Sequence, residues 1–180
     1  MDSNWIQSFP PILGEAPRIL VLGSMPGKAS LQAGRYYAHP RNVFWNIMCE
    51  LLDEDLLANY HERVYLLQSN GIAVWDVCHR ARRHTSLDSD ISDEEPNDIP
   101  GLLKAHPTIK MVAFNGRKPA SLHDKYFDRL QGKKYVTLLS TSPANAAYAY
   151  HNKLENWSNY LGLHKKQGPA ISPGKNNSDI

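Results

Sequence analysis

Arg18-Ile-Leu-Val-Leu22 runs without a break into Gly23-Ser-Met-Pro-Gly27, and this junction points to the architecture. An apolar run that does not alternate with polar residues fits a strand buried on both faces of a parallel sheet. The glycines and proline that follow turn the chain at its carboxyl end. Three more such runs come later: Ile72-Ala-Val-Trp-Asp76, Lys110-Met-Val-Ala-Phe114 and Tyr135-Val-Thr-Leu-Leu139. Between them the apolar period becomes helical. Val43, Phe44, Ile47, Met48, Leu51 and Leu52 predict an amphipathic helix starting near Pro40. Further helices are expected over 60–69, 99–105, 118–127 and about 146–161. Strands alternating with helices predict an α/β fold: a three-layer α/β/α sandwich around a central four-stranded, mainly parallel sheet.

Two stretches read as loops: the segment from Gly23 to Pro40, and the polar run 79–100, basic at first (Arg80, Arg82, Arg83) and acidic later (Asp93, Glu94, Glu95). The residues from Lys165 onward are rich in Gly, Pro, Asn and Ser. They read as a flexible tail, 165–180, after a single domain over 1–164.

A chain of 180 residues with 42% hydrophobic and 21% charged residues suits one globular domain. A net charge of +2 excludes polyanion binding driven by bulk charge, so any contact with nucleic acid rests on local patches and shape. Two cysteines, Cys49 and Cys78, cannot build a four-cysteine iron–sulfur or zinc site. The eight histidines show no metal-ligand spacing, so no metal is expected. Residues 1–11 lack a basic segment followed by an apolar run, and no stretch approaches the roughly 18 apolar residues of a membrane span. The expectation is a one-domain cytoplasmic protein with no membrane partner.

In open parallel sheets, ligands bind beyond the carboxyl ends of the strands. Those ends carry Gly23-Ser24-Met25-Pro26, Asp76, Asn115 and the loop Ser140-Thr-Ser-Pro143. The first loop superficially resembles a phosphate-binding P-loop. It is one residue short between its glycines, and no hydroxyl directly follows Lys28, which disfavours a nucleoside triphosphate. Tyr36 and Tyr37 sit in a loop, where an aromatic ring suits stacking on a nucleobase. Asn42 stands at a helix start, where capping and a site role are equally good readings. Ser140, Ser142, Pro143 and Asn145 suit either helix entry or contact with a phosphate backbone. Asp76, at a strand end, is the best-placed carboxylate.

Three segments together are similar to the uracil-DNA glycosylase superfamily: Gly-Ser-Met-Pro-Gly with the following Tyr-Tyr-x-His-Pro-Arg-Asn-x-Phe-Trp, the strand 71–76, and Ser-Thr-Ser-Pro-Ala-Asn-Ala. Their order matches over about 18–160, and within the superfamily they most resemble the hypoxanthine (deoxyinosine) branch. The resemblance implies an enzyme that flips a deaminated base from DNA and hydrolyses its glycosidic bond, leaving an abasic site, without metal or cofactor. Many relatives carry an Asp or Asn in the first loop to handle water. Met25 stands there in this chain, and the resemblance passes the catalytic role to Asn42. It assigns the flipped base to Gly23, Ser24, Met25, Pro26, Tyr37, Asp76 and Asn115. It assigns DNA contact to Ser140, Ser142, Pro143, Ala144 and Asn145, with Ala144 and Asn145 at a tip where many relatives have a bulky leucine. The rival expectations are a uracil- or thymine-mismatch-directed glycosylase and a catalytically silent lesion binder.

Overall fold

The computed structural model describes residues 5–83 and 88–163. The tail reading, 165–180, lies outside the described residues, as does His84. Along the chain come β1 (Trp5–Gln7), β2 (Ile19–Gly23), α1 (Lys28–Ala33), α2 (Phe44–Leu51), α3 (Tyr60–Ser69), β3 (Ile72–Asp76), β4 (Cys78–Arg82) and β5 (Ser92–Pro96). After them follow α4 (Ile99–Ala105), β6 (Met111–Asn115), α5 (Arg117–Tyr126), β7 (Lys134–Leu138) and α6 (Tyr150–Leu161).

The central sheet has the order β3-β2-β6-β7, and every pairing in it is parallel. Its inner strand β2 explains the apolar run that opened the reading. Val21 points into one apolar layer, with Phe44, Ile47 and Met48 of α2, Leu67 of α3 and Trp157 of α6. Leu20 and Leu22 point into the other, with Ile99 and Leu103 of α4 and Leu122 of α5. All three β2 side chains are fully buried, and each such burial stabilises by roughly 1.5–3 kcal/mol. The result is the expected α/β/α sandwich.

The stretch 79–100 departs from its loop reading. β1, β4 and β5 form a second, antiparallel sheet in the order β1-β4-β5, pairing Trp5 with Arg82 and Arg80 with Glu95. Only Cys78 and Ala81 of β4 turn inward, so charged neighbours hid the strand. The segment after Gly23 also contains a six-residue helix, α1, ended by Gly34 in the left-handed conformation. The helix expected from Pro40 begins at Phe44, and the last begins at Tyr150 rather than Ala146.

Candidate active site

Sheet register brings the strand ends level: Gly23 of β2 pairs with Asp76 of β3, and Asn115 of β6 pairs with Leu138 of β7. Beyond them opens a cavity of about 1000 Å³, at the top of the roughly 300–1,000 Å³ range of ligand clefts. Its wall includes Gly23 to Pro26, Tyr37, Asn42, Asp76, Asn115 and the loop 140–145, so every residue singled out in the sequence meets there.

The first loop lies flat along the second sheet. Gly23 and Ser24 accept hydrogen bonds through their carbonyls from the backbone N–H groups of Val77 (2.8 Å) and Cys78 (3.1 Å). A Cβ on Gly23 would sit 2.5 Å from Asp76 Oδ1 and 3.4 Å from the Tyr37 hydroxyl. Glycine is therefore what lets the carboxylate and the phenol converge on this strand end. Asp76 is 3% exposed, and its main-chain carbonyl accepts from Asn97 Nδ2 at 2.9 Å. The Met25 side chain is buried in the apolar layer of α4 and α5 and brings no hydrogen-bonding side-chain group to the loop.

The two tyrosines divide their work. Tyr36 is a core residue, not a free stacking ring: its hydroxyl donates to the carbonyls of Phe9 (3.2 Å) and Pro10 (3.1 Å). Burial, with Asp76 and Tyr37 nearby, pushes its phenol well above the ordinary value, so it remains a proton donor. Tyr37 adopts a left-handed backbone, φ 54°, which turns its ring onto Phe44 at a centroid distance of 3.9 Å. One edge of that stack lines the cavity.

Asn42 lies one residue before Val43, the N-cap of α2, and lines the cavity. Its Oδ1 accepts from the Phe44 N–H at 3.0 Å, an Asx turn that leads the chain into α2. That bond takes one oxygen lone pair and fixes the amide, leaving a second lone pair and both N–H groups beside the cavity that Asn42 lines.

Asn115 and the last loop are interlocked. Asn115 Nδ2 donates to Thr141 Oγ1 and its Oδ1 accepts from Thr141 N, both at 2.9 Å. The Thr141 carbonyl in turn accepts from Val43 N at 3.2 Å, next to Asn42. Gly116, at φ 111°, has Ser140 where a side chain would point. The loop then closes on itself. Ser142 N donates to Ser140 Oγ (3.2 Å), Ala144 N to Ser142 Oγ (3.2 Å) and Asn145 Nδ2 to the Ser140 carbonyl (3.2 Å). Beneath it Lys153 is buried with Nζ 3.4 Å from the Ser142 carbonyl, and burial pushes its ammonium pKa down.

Lys28, Arg41 and Arg117 also line the cavity and give it a cationic rim, with His39 beside them. The cluster at 80–83 is structural. Arg80 pairs with Glu95 through two 2.6 Å hydrogen bonds, Arg80 and Arg82 lie over the Trp5 ring, and buried Arg83 donates to the Pro26 carbonyl. Reading the sequence alone placed Thr141 in the strand-end loop without giving it a role, and missed Asn97. The burial of Thr141 and its pairing with Asn115 show only in the structure. Asn97 gave no local signal, because its partners Ser8, Asp76 and Cys78 are distant in the chain.

A cleft at the ends of a parallel sheet, walled by amides, a carboxylate and a stacked ring and rimmed by cations, defines an α/β protein with a ligand-sized cavity at its strand ends. Residues 10–161 match the family model described as the Uracil DNA glycosylase superfamily. The chain is 40% identical over 142 residues to a hypoxanthine DNA glycosylase of Methanosarcina barkeri, covering 77% of this chain and 87% of that protein. Against a hypoxanthine DNA glycosylase of Methanosarcina acetivorans it is 36% identical over 152 residues, covering 83% and 94%. The solution NMR structure of a candidate uracil DNA glycosylase from Methanosarcina acetivorans aligns with a TM-score of 0.76 at 32% identity, over 88% of this chain and 98% of that one. The chain belongs to the uracil DNA glycosylase superfamily, whose members are DNA glycosylases, hydrolases of N-glycosyl bonds.

Proposed function

We propose that this base-excision repair glycosylase releases hypoxanthine from deoxyinosine in DNA, with Asn42 as the catalytic residue. The observation that carries the reading is Asn42: a fixed amide on the cavity wall, in a cleft whose first loop has Met25 in place of a water-handling side chain. The naming of both Methanosarcina relatives as hypoxanthine DNA glycosylases supports the substrate.

The chemistry follows from these groups. Unpairing a base costs a few kcal/mol, least at a mismatched or damaged pair, and this favours a deaminated target. Once in the cavity, hypoxanthine presents a carbonyl oxygen and a ring N–H on its edge. Asn115 spends one N–H and one lone pair on Thr141, which leaves one of each to pair with that edge. The backbone of 23–26 and Asp76 close the opposite wall, and the Tyr37–Phe44 stack offers its edge and face to the ring.

The glycosidic C–N bond breaks with its electron pair leaving on the base, and the sugar becomes an oxocarbenium-like cation. Water then adds its oxygen to the anomeric carbon and loses a proton to solvent, while the departing base takes up a proton. An amide is a poor general base, but it can hold that water through its free lone pair. Little more is required if bond cleavage runs ahead of attack, because electrostatic stabilisation then carries most of the rate enhancement. Ser140, Ser142, Pro143, Ala144 and Asn145, with the cationic rim, hold the strand on either side. Such chemistry needs one chain, so we read the enzyme as a monomer acting where DNA is.

The test is base release in EDTA from duplexes carrying a single inosine, uracil, xanthine or mismatched thymine, with abasic sites cleaved by alkali. Strand breaks at inosine support the proposal. Breaks at uracil or thymine alone favour the second reading, a mismatch-directed enzyme. That reading draws on 28% identity over 102 residues to a G/U mismatch-specific uracil DNA glycosylase of Schizosaccharomyces pombe. Tight binding of inosine DNA without any break points to a silent lesion binder.

A further inference from the structure

We propose that Tyr148 is the side chain that enters the duplex when a base is extruded, stacking in the gap the base leaves. This rests on the glycosylase reading above. The loop tip itself is ill suited to that task. Pro143, Ala144 and Asn145 are small or compact, and the loop is drawn back on itself by the hydrogen bonds to Ser140 and Ser142. Three residues on, Tyr148 lines the same cavity, is 45% exposed, and among the described residues has neither a ring contact nor a hydrogen bond. Its neighbours Ala146, Ala147 and Ala149 leave the ring standing alone.

The other large exposed apolar side chains do not compete. Leu56, Tyr65 and Tyr160 lie away from this cavity, and Trp5 is overlaid by Arg80 and Arg82. Tyr37, the inward aromatic, is already stacked on Phe44. Among the tyrosines that line the cavity, Tyr36 and Tyr37 have ring partners, and Tyr148 is the exposed one for which no ring contact is found among the described residues. Arg41 and Arg117 on the same rim supply the charge that would bring a duplex against it. An extruded base leaves two unstacked neighbours, and an inserted apolar or aromatic side chain restores those contacts whatever their sequence.

Two measurements on the full chain, for wild type, Tyr148→Phe and Tyr148→Ala, test this. The first is single-turnover base release from an inosine strand, alone and in duplex. Tyr148→Phe should match wild type, while Tyr148→Ala should lose about tenfold or more on duplex, the effect of one lost base–aromatic stack, with its single-strand rate unchanged. Equal losses on both substrates would place Tyr148 in the base pocket instead, and no loss on duplex would remove it from the process. The second measurement needs no catalysis. It follows 2-aminopurine fluorescence beside a tetrahydrofuran abasic analogue in duplex DNA. Wild type and Tyr148→Phe should quench it and Tyr148→Ala should not; identical signals from all three would overturn the proposal. Should wild type release no base at all, the substrate reading fails, while the fluorescence still decides the role of Tyr148.

Discussion

Asn115 and Thr141 hold each other through two hydrogen bonds of 2.9 Å, one in each direction, across 26 positions of the chain. This pair joins the end of β6 to the last loop. Through the Thr141 carbonyl it also reaches Val43, beside Asn42. Thr141→Val keeps the shape but leaves the Asn115 N–H without its acceptor. Unfolding by urea should show a loss of about 1–3 kcal/mol, and Thr141→Ser should recover most of it. A valine variant as stable as wild type would mean that this bond contributes nothing net.

The turn contact of Asn42 and the catalytic role proposed for it can be separated by substitution. Asn42→Ala should lose the contact to Phe44 N, worth about 0.5–2 kcal/mol, and should lose most base release while still binding DNA. Asn42→Asp keeps an acceptor for that N–H, so its stability should stay near wild type. Wild-type turnover in the alanine variant would take Asn42 out of the mechanism.

Gly116 is the backbone hinge of the same corner. At φ 111°, with Ser140 Cβ only 3.0 Å from where its own Cβ would be, Gly116→Ala adds both strain and a contact the loop must yield to. A destabilisation of about 1–3 kcal/mol is expected in thermal or urea unfolding, and base release should slow as the loop shifts.

Arg117 and Arg41 line the cavity, and among the described residues neither forms an ion pair. If each meets one phosphate, Arg117→Gln or Arg41→Gln should flatten the dependence of log binding constant on log salt by about 0.9 for duplex DNA. Arg80→Gln is the control. Its guanidinium is committed to Glu95, so its substitution should leave that slope alone.

Acid should weaken two ion pairs, Asp124 with Arg129 and Glu94 with Lys125. Hydrogen bonds from Arg129, with His123 close by, hold Asp124 below the usual carboxylate range. Burial raises Glu94, but the Lys125 hydrogen bond, a backbone hydrogen bond and the charges of Lys125 and Lys118 together outweigh it, and the net shift is also downward. Folded pKa values below the unfolded ones contribute stability above about pH 4, which is lost as pH falls through the folded values. Urea midpoints followed from about pH 6 to about pH 3 should decline, and Asp124→Asn should make that decline shallower. Added salt should shrink the difference, since both pairs are partly exposed.

Much of the central sheet was legible because burial on two faces leaves a simple mark. The run 72–76 is a strand over those same residues, and the β6 and β7 runs are displaced by a single residue. The second sheet left no such mark. Ser92–Pro96 contains three acids and a proline, poor strand formers that pair only because β4 lies alongside and Arg80 meets Glu95. β1 joins from the other end of the chain, a pairing that local pattern cannot carry. Helix α1 has six residues and little apolar periodicity, so it read as loop.

What the sequence determined by itself was the layer order and the address of the site. Apolar runs followed by turn residues place four strand ends together, and short motifs at those ends carry the likeness to a superfamily. Only tertiary structure decided what each side chain does there. It put Tyr36 in the core and Tyr37 on the cavity, made Asn42 both a turn residue before α2 and part of the wall, spent half of the Asn115 amide on Thr141, and turned the 80–83 arginines toward Glu95, Trp5 and Pro26. The reason is physical. Burial along a strand follows from local periodicity, whereas a hydrogen-bond partner across 26 or 57 positions exists only once the chain has closed on itself.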